Sequence, residues 1–251
     1  MSSAGTTHPI RFDYGLGPDQ FGDFIAARTP AARGTVVFVH GGVWRAGRGW
    51  DGPDAVIDRL AAVGWHVWKV QFRGVGAGGG WPQTGEDVVA AVRFLPTFSA
   101  QTGIALGPIV LVGHSSGCQL AVRALAEVGD LVAGAVSADG VLDLRAAEAA
   151  GLGAGGIPEF LGGSSTDLPD GYRSADPLRN IAAESPVRLV HAEDDAAVPV
   201  AQSEAYLQAA RSAGQDAELV LTPGEHTSAL DPGSAAWAAV LTAIEELSAR
   251  R

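Results

Sequence analysis

Residues 108–112, Pro-Ile-Val-Leu-Val, form an unbroken apolar run that stops at Gly113-His114-Ser115-Ser116-Gly117 and passes directly into a helical stretch, 116–127. A strand apolar on both faces has to be covered on both, so a helix leaving its end implies a layered α/β architecture. The alternation continues along the chain. Strands are read at 35–39, 65–72, 131–137, 187–191 and 217–221 from their length and β-branched content. Helices are read at 51–63, 86–98, 200–213 and 235–247, with a break expected near Pro96. Residues 10–14 are read as an antiparallel edge strand. The expected fold class is α/β: one domain over residues 1–251, with a mostly parallel sheet and helices on both faces.

Two stretches interrupt the pattern. Residues 74–80, Gly-Val-Gly-Ala-Gly-Gly-Gly, are read as a flexible loop. No Lys-Ser/Thr follows them and no helix opens on them, so they do not form a phosphate loop. Residues 140–186 are rich in Gly, Pro, Ser and Asp, and are read as a small cap inserted over a site.

Composition excludes several classes. Apolar residues make up 47% of the chain, too many for wholesale disorder. Seventeen basic residues against 28 acidic ones give a net charge of −11, which leaves no basic face for nucleic acid. Cys118 is the single cysteine, so an internal disulfide and a cysteine-based zinc site are excluded. No apolar run reaches about 18 residues, so no membrane span is expected. Residues 1–9 are small and polar, without the basic and apolar regions of a signal peptide. A cytoplasmic protein with a small-molecule substrate is the expectation; the oligomeric state is left open.

The chemistry centres on Ser115. In a Gly-x-Ser-x-Gly turn between strand and helix, the backbone is strained so that the serine hydroxyl projects clear of the sheet at a helix N-terminus. The partial positive charge there favours developing oxyanion character. Such a serine needs a base, and the base an orienting acid, carried at the ends of later strands in the order serine, acid, histidine. His226 follows the strand 217–221 and is the expected base, ahead of His8, His66 and His191. Asp195 follows the strand 187–191 and is the expected acid. Its neighbours Glu193 and Asp194, and Asp139 after the strand 131–137, remain alternatives. An oxyanion hole needs two inward N–H groups. One is assigned to Ser116, and the other to the loop His40-Gly41-Gly42-Val43-Trp44, through Gly42 and Val43.

In combination, HGGVW, GHSSG, DDAAVP and GEH resemble the α/β-hydrolase superfamily over roughly residue 35 to the C-terminus. Within it the chain looks like the small esterase and lipase group that includes the kynurenine formamidases (arylformamidases). Gly140-Val141-Leu142-Asp143-Leu144, Phe160-Leu161-Gly162-Gly163 and Ser174-Ala175-Asp176-Pro177 are similar to stretches of that group. Departures are Val43, where an aromatic is frequent, Asp176 within a Ser-Pro motif, and Ser116 for a common alanine. The resemblance implies an eight-stranded sheet with seven parallel strands, no cofactor, and acyl hydrolysis through a covalent acyl-enzyme. It leaves open an ester or an activated amide as substrate. A lyase, acyltransferase or cyclase reusing the triad, and a ligand-binding hydrolase fold, are the rival readings. A peptidase is disfavoured because the short chain shows no gating domain.

Trp44, Trp81 and His114 are candidate substrate contacts, each with packing as the competing role. Cys118, on the helix leaving the turn, is expected to be a buried, inert thiol. The acids around Asp195 lack a ligand set with metal spacing, so no metal is expected.

Overall fold

A computed structural model describes residues 9–250. His8, and all of the polar segment 1–9 but its last residue, lie outside the described residues. Eight strands form one sheet: β1 (Ile10–Asp13), β2 (Phe21–Ile25), β3 (Gly34–Val39), β4 (Trp65–Val70), β5 (Ile109–His114), β6 (Gly134–Ala138), β7 (Val187–Ala192) and β8 (Ala217–Thr222). Their order is β1-β2-β4-β3-β5-β6-β7-β8. β2 runs antiparallel to both its neighbours, and the other seven strands point one way.

The central strands are apolar throughout because both of their faces are buried. Along β3, Val37 and Val39 enter one core while Val36 and Phe38 enter the other; β5 divides Ile109 and Leu111 from Val110 and Val112 in the same way. Helices α1 (Asp54–Ala62) and α8 (Ala235–Ser248) cover one face through Val56, Leu60, Trp237 and Ile244. The other face is covered by α2 (Gln83–Thr102), α3 (Ser116–Val128) and α7 (Ala201–Ser212). Each fully buried Leu or Phe stabilises this packing by about 2 kcal/mol.

Residues 140–186 carry three short helices, α4 (Leu144–Ala149), α5 (Gly156–Leu161) and α6 (Pro169–Ala175). The Asp143 carboxylate caps α4 by accepting the Ala146 N–H at 2.9 Å. Leu142, Leu144, Phe160 and Tyr172 are buried in the same core as α2 and α3, so this segment shares the domain's core.

One local expectation fails, and one strand was not expected. Helix α2 runs unbroken through Pro96, which lies on its exposed face. Val88, Val92, Leu95 and Phe98 continue the buried stripe across it, and that packing outweighs the one hydrogen bond the proline cannot donate. Strand β2 is also unanticipated, because Gly22 and Asp23 interrupt its apolar pattern. Gly22 is required by close approach: a Cβ there would meet the Trp68 ring at 2.3 Å. Asp23 pairs with Arg11 of β1 at 2.8 Å. Among the described residues no helix is long and apolar enough to cross a membrane.

Candidate active site

Three parallel strands deliver the site from their C-terminal ends. β5 ends at His114, and Ser115 turns the chain into α3 with φ +56° and ψ −125°, a conformation costly to any residue with a side chain. The turn closes only because the flanking positions are bare. A Cβ on Gly117 would meet the Val39 carbonyl oxygen at 2.2 Å, and one on Gly113 would meet Cys118 Cα at 2.6 Å. Asp195 stands three residues beyond β7, and His226 four residues beyond β8.

These three side chains form one hydrogen-bonded chain. The Ser115 hydroxyl lies 2.9 Å from His226 Nε2. His226 Nδ1 lies 2.7 Å from Asp195 Oδ2. The carboxylate accepts only, so Nδ1 carries the ring proton and Nε2 is left with its lone pair toward the serine. Asp195 Oδ1 accepts the N–H groups of Ala197 and Val198, both at 2.8 Å. Its side chain is fully buried, whereas His226 keeps about a fifth of its side chain exposed. Glu193 and Asp194 are exposed to solvent.

Residues outside this chain hold it in place. His114 Nε2 lies 2.9 Å from the His226 carbonyl oxygen and donates to it, tying the loop after β8 to the nucleophile turn. Burial pushes the His114 ring down to about 4, which keeps it neutral. In the loop after β3, His40 is buried, stacks on Phe72 with centroids 4.4 Å apart, and bonds the Gln71 side chain. Gly41 brings this loop against the nucleophile, for a Cβ there would lie 3.0 Å from Ser115 Cβ. Val43 and Trp44 both take positive φ, +59° and +55°, a strained pair beside the serine. Cys118 is buried, and burial pushes its thiol up to about 12, so it is inert.

The N–H groups expected to face an oxyanion differ in what they meet. The Ser116 N–H heads α3, where no intrahelical partner exists. The Val43 N–H is already engaged, donating to Ser116 Oγ at 2.9 Å. The positive φ of Gly42, +114°, turns the loop.

Ser115 and His226 open into a cavity of about 340 Å³. Phe38, Val43, Val141, Leu152, Ile157 and Leu230 supply its apolar wall, so residues 140–186 contribute to it. No lysine, arginine, aspartate or glutamate among the described residues lines it. His114 and Trp44 reach the cavity, but Trp44 is 2% exposed, stacks on Phe160 and donates its indole N–H to Gln119 at 2.9 Å. Trp81 is a correction: it does not line this cavity. Its indole N–H donates to Ser174 of α6 at 2.8 Å, and its ring packs edge-on to Phe160, in a separate groove between α2, α3 and α6.

Asp139, His191 and Asp195 come within metal-ligand reach of one another. His191 is unsuited as a ligand: its Nε2 faces the Val198 carbonyl at 2.8 Å and must carry a proton, while Nδ1 faces the Ser203 hydroxyl at 2.7 Å. Asp195 is committed to His226 and two backbone N–H groups.

Sheet order, nucleophile turn and triad geometry together define an α/β hydrolase. The model of the prolyl oligopeptidase family (Peptidase_S9) matches residues 72–240, and the chain belongs to that family. The match includes Ser115, Asp195 and His226 but not the loop at 40–44. No curated protein sequence matches the chain. Solved structures share the fold at low identity. A truncated carbohydrate esterase from gut microbiota is 18% identical, with 97% of this chain and 96% of that one covered and a TM-score of 0.82. Esterase B from Lactobacillus rhamnosis is 18% identical over 97% and 86%, with a TM-score of 0.80. Carboxyl esterase 2 from the mycorrhizal fungus Tuber melanosporum is 18% identical over 98% and 89%, with a TM-score of 0.77.

Proposed function

We propose that this protein is a serine esterase that hydrolyses small, uncharged, apolar carboxylic esters through an acyl-enzyme on Ser115. The observation that carries this reading is a hydrogen-bonded Ser115–His226–Asp195 chain opening into an apolar cavity with no charged wall. Ser115 Oγ attacks the ester carbonyl as His226 Nε2 takes its proton. Asp195 holds the ring in the required tautomer and stabilises the imidazolium. The negative charge developing on the carbonyl oxygen meets the Ser116 N–H and the positive end of α3. His226 protonates the departing alcohol, then activates the water that releases the acid.

The second oxyanion donor is the Val43 N–H, and the Ser116 hydroxyl competes for it. A neutral hydrogen bond of this kind is worth about 1 kcal/mol, which substrate has to displace. Ser116→Ala removes the competitor and is expected to raise kcat/KM about three- to tenfold. A fall of similar size in steady-state kinetics would mean that the hydroxyl itself donates to the oxyanion.

An aryl formamide is the second substrate class, because the apolar wall suits an aryl leaving group and the similarity of 140–144 and 160–163 to formamidases points the same way. The cavity exceeds what a formyl group fills, which favours a longer acyl chain. A peptide is disfavoured, since no Lys, Arg, Asp or Glu among the described residues lines the cavity to anchor a chain terminus. The test is a panel of 4-nitrophenyl esters from acetate to octanoate, an N-formyl aniline and a dipeptidyl anilide. Esters of two to six carbons are expected to turn over at least about a hundredfold faster, in kcat/KM, than either amide. Faster cleavage of the formyl anilide would move the assignment to C–N hydrolysis.

A further inference from the structure

The carboxyl group of Asp139 takes part in none of these steps, yet it lies against them. Asp139 follows β6 directly, its own N–H donating to the Val190 carbonyl at 3.0 Å. Its backbone takes φ +54°, a conformation strained for a non-glycine residue. The residue is 1% exposed. Oδ1 accepts the Ala192 N–H at 2.8 Å, while Oδ2 is buried with no partner. Polar atoms of Asp139, His191 and Asp195 lie within 4.8 Å of one another.

Two carboxylates buried side by side make each other harder to ionise. Their partners decide which one holds the charge. Asp195 accepts two backbone N–H groups and the His226 ring, whereas Asp139 accepts a single N–H. Charge therefore resides on Asp195, and Asp139 retains a proton more readily. The groups acting on it are His191 from β7, Asp195 from the loop after β7, His226 from the loop after β8, and the neutral Cys118 thiol from α3. Burial pushes the Asp139 carboxyl up to about 6, and the Asp195 charge adds to the rise. The Ala192 N–H and the two histidines oppose it.

We propose that Asp139 is a positioning acid that acts through the Asp195–His226 pair: ionised, it sets a second negative charge behind the His226 imidazolium. This rests on the assignment of Ser115, Asp195 and His226 made above. The sign of the effect follows directly. His226 serves as base only while neutral, and a nearby negative charge favours its protonated form. Removing that charge lets His226 remain neutral at lower pH.

The test is the rate at which a fluorophosphonate labels Ser115, measured by intact mass from pH 5 to 9. It needs no identified substrate. Two variants are compared with the wild type. Asp139→Asn keeps the side-chain shape, and Asp139→Gly suits the left-handed backbone and removes the carboxyl group. In both, the acid limb of the labelling profile is expected to move down by about one pH unit. A purely structural role would lower the melting temperature without moving the limb. An unmoved limb in folded Asp139→Gly overturns the proposal, and that variant decides if the two disagree. Absence of Ser115 labelling in the wild type overturns the triad assignment itself, and this proposal with it.

Discussion

Ser115→Ala is expected to lower ester hydrolysis by about 10⁵-fold or more, with the melting temperature unchanged within about 2 °C. The loss is large because the variant removes the atom that forms the acyl-enzyme, and among the described residues no other nucleophile hydrogen-bonds His226 Nε2. The Cys118 thiol is buried and held neutral, so it cannot substitute. Stability is spared because the Ser115 hydroxyl bonds only to His226 among the described contacts, and alanine meets the same backbone strain as serine at φ +56°. His226→Ala is expected to fall nearly as far. The double variant is expected to be no slower than the worse single one, because nucleophile and base act as a unit. Steady-state rates on 4-nitrophenyl butyrate, with thermal melts of each variant, check this. Residual turnover above about 1% of wild type in Ser115→Ala would assign hydrolysis to another group.

The nucleophile turn could be read from the chain because its demands are local. Gly113 and Gly117 are dictated by contacts with residues one strand or one helical turn away, and the strand and helix flanking them are apolar for the same packing reason. The order of serine, acid and histidine follows from the strands that carry them, so Asp195 and His226 could be placed from strand ends alone. What could not be read depends on distant contacts. Trp81 sits beside a glycine-rich loop in sequence, but its partner Ser174 is 93 residues away. Strand β2 is recognisable only through Trp68 and Arg11, which explain its glycine and its aspartate. The roles of His114 and His191 rest on backbone carbonyls they reach across the fold, and residue type does not reveal such partners. Asp139 was visible as a strand-end acid competing with Asp195. The structure separates the two by their donors: Asp195 reaches the histidine, and Asp139 keeps an unpaired oxygen. The α/β-hydrolase superfamily was legible, but the prolyl oligopeptidase family was not read from these motifs, and the substrate depends on a cavity assembled from many separate stretches of chain.

Asp195→Asn is expected to reduce kcat by about 10⁴-fold while leaving the fold intact. The reason is the direction of hydrogen bonds. Asp195 Oδ1 accepts the Ala197 and Val198 N–H groups, so an asparagine is held with its carbonyl oxygen at that position. Its NH₂ then occupies the place of Oδ2 and points a donor at His226 Nδ1. The ring can accept that bond only by moving its proton to Nε2. In that tautomer Nε2 has no lone pair for the Ser115 proton, and the serine remains a hydroxyl. The imidazolium also loses the charge that stabilises it. Neutralising one of two crowded buried acids relieves repulsion toward Asp139, so stability is expected to hold or rise slightly. The variant's rate is expected to recover partly above pH 9, where hydroxide assists the attack. A pH–rate profile of wild type and Asp195→Asn measures both effects. A loss smaller than tenfold at pH 7.5 would mean that Asp139, one strand away, has taken over the orienting bond to His226.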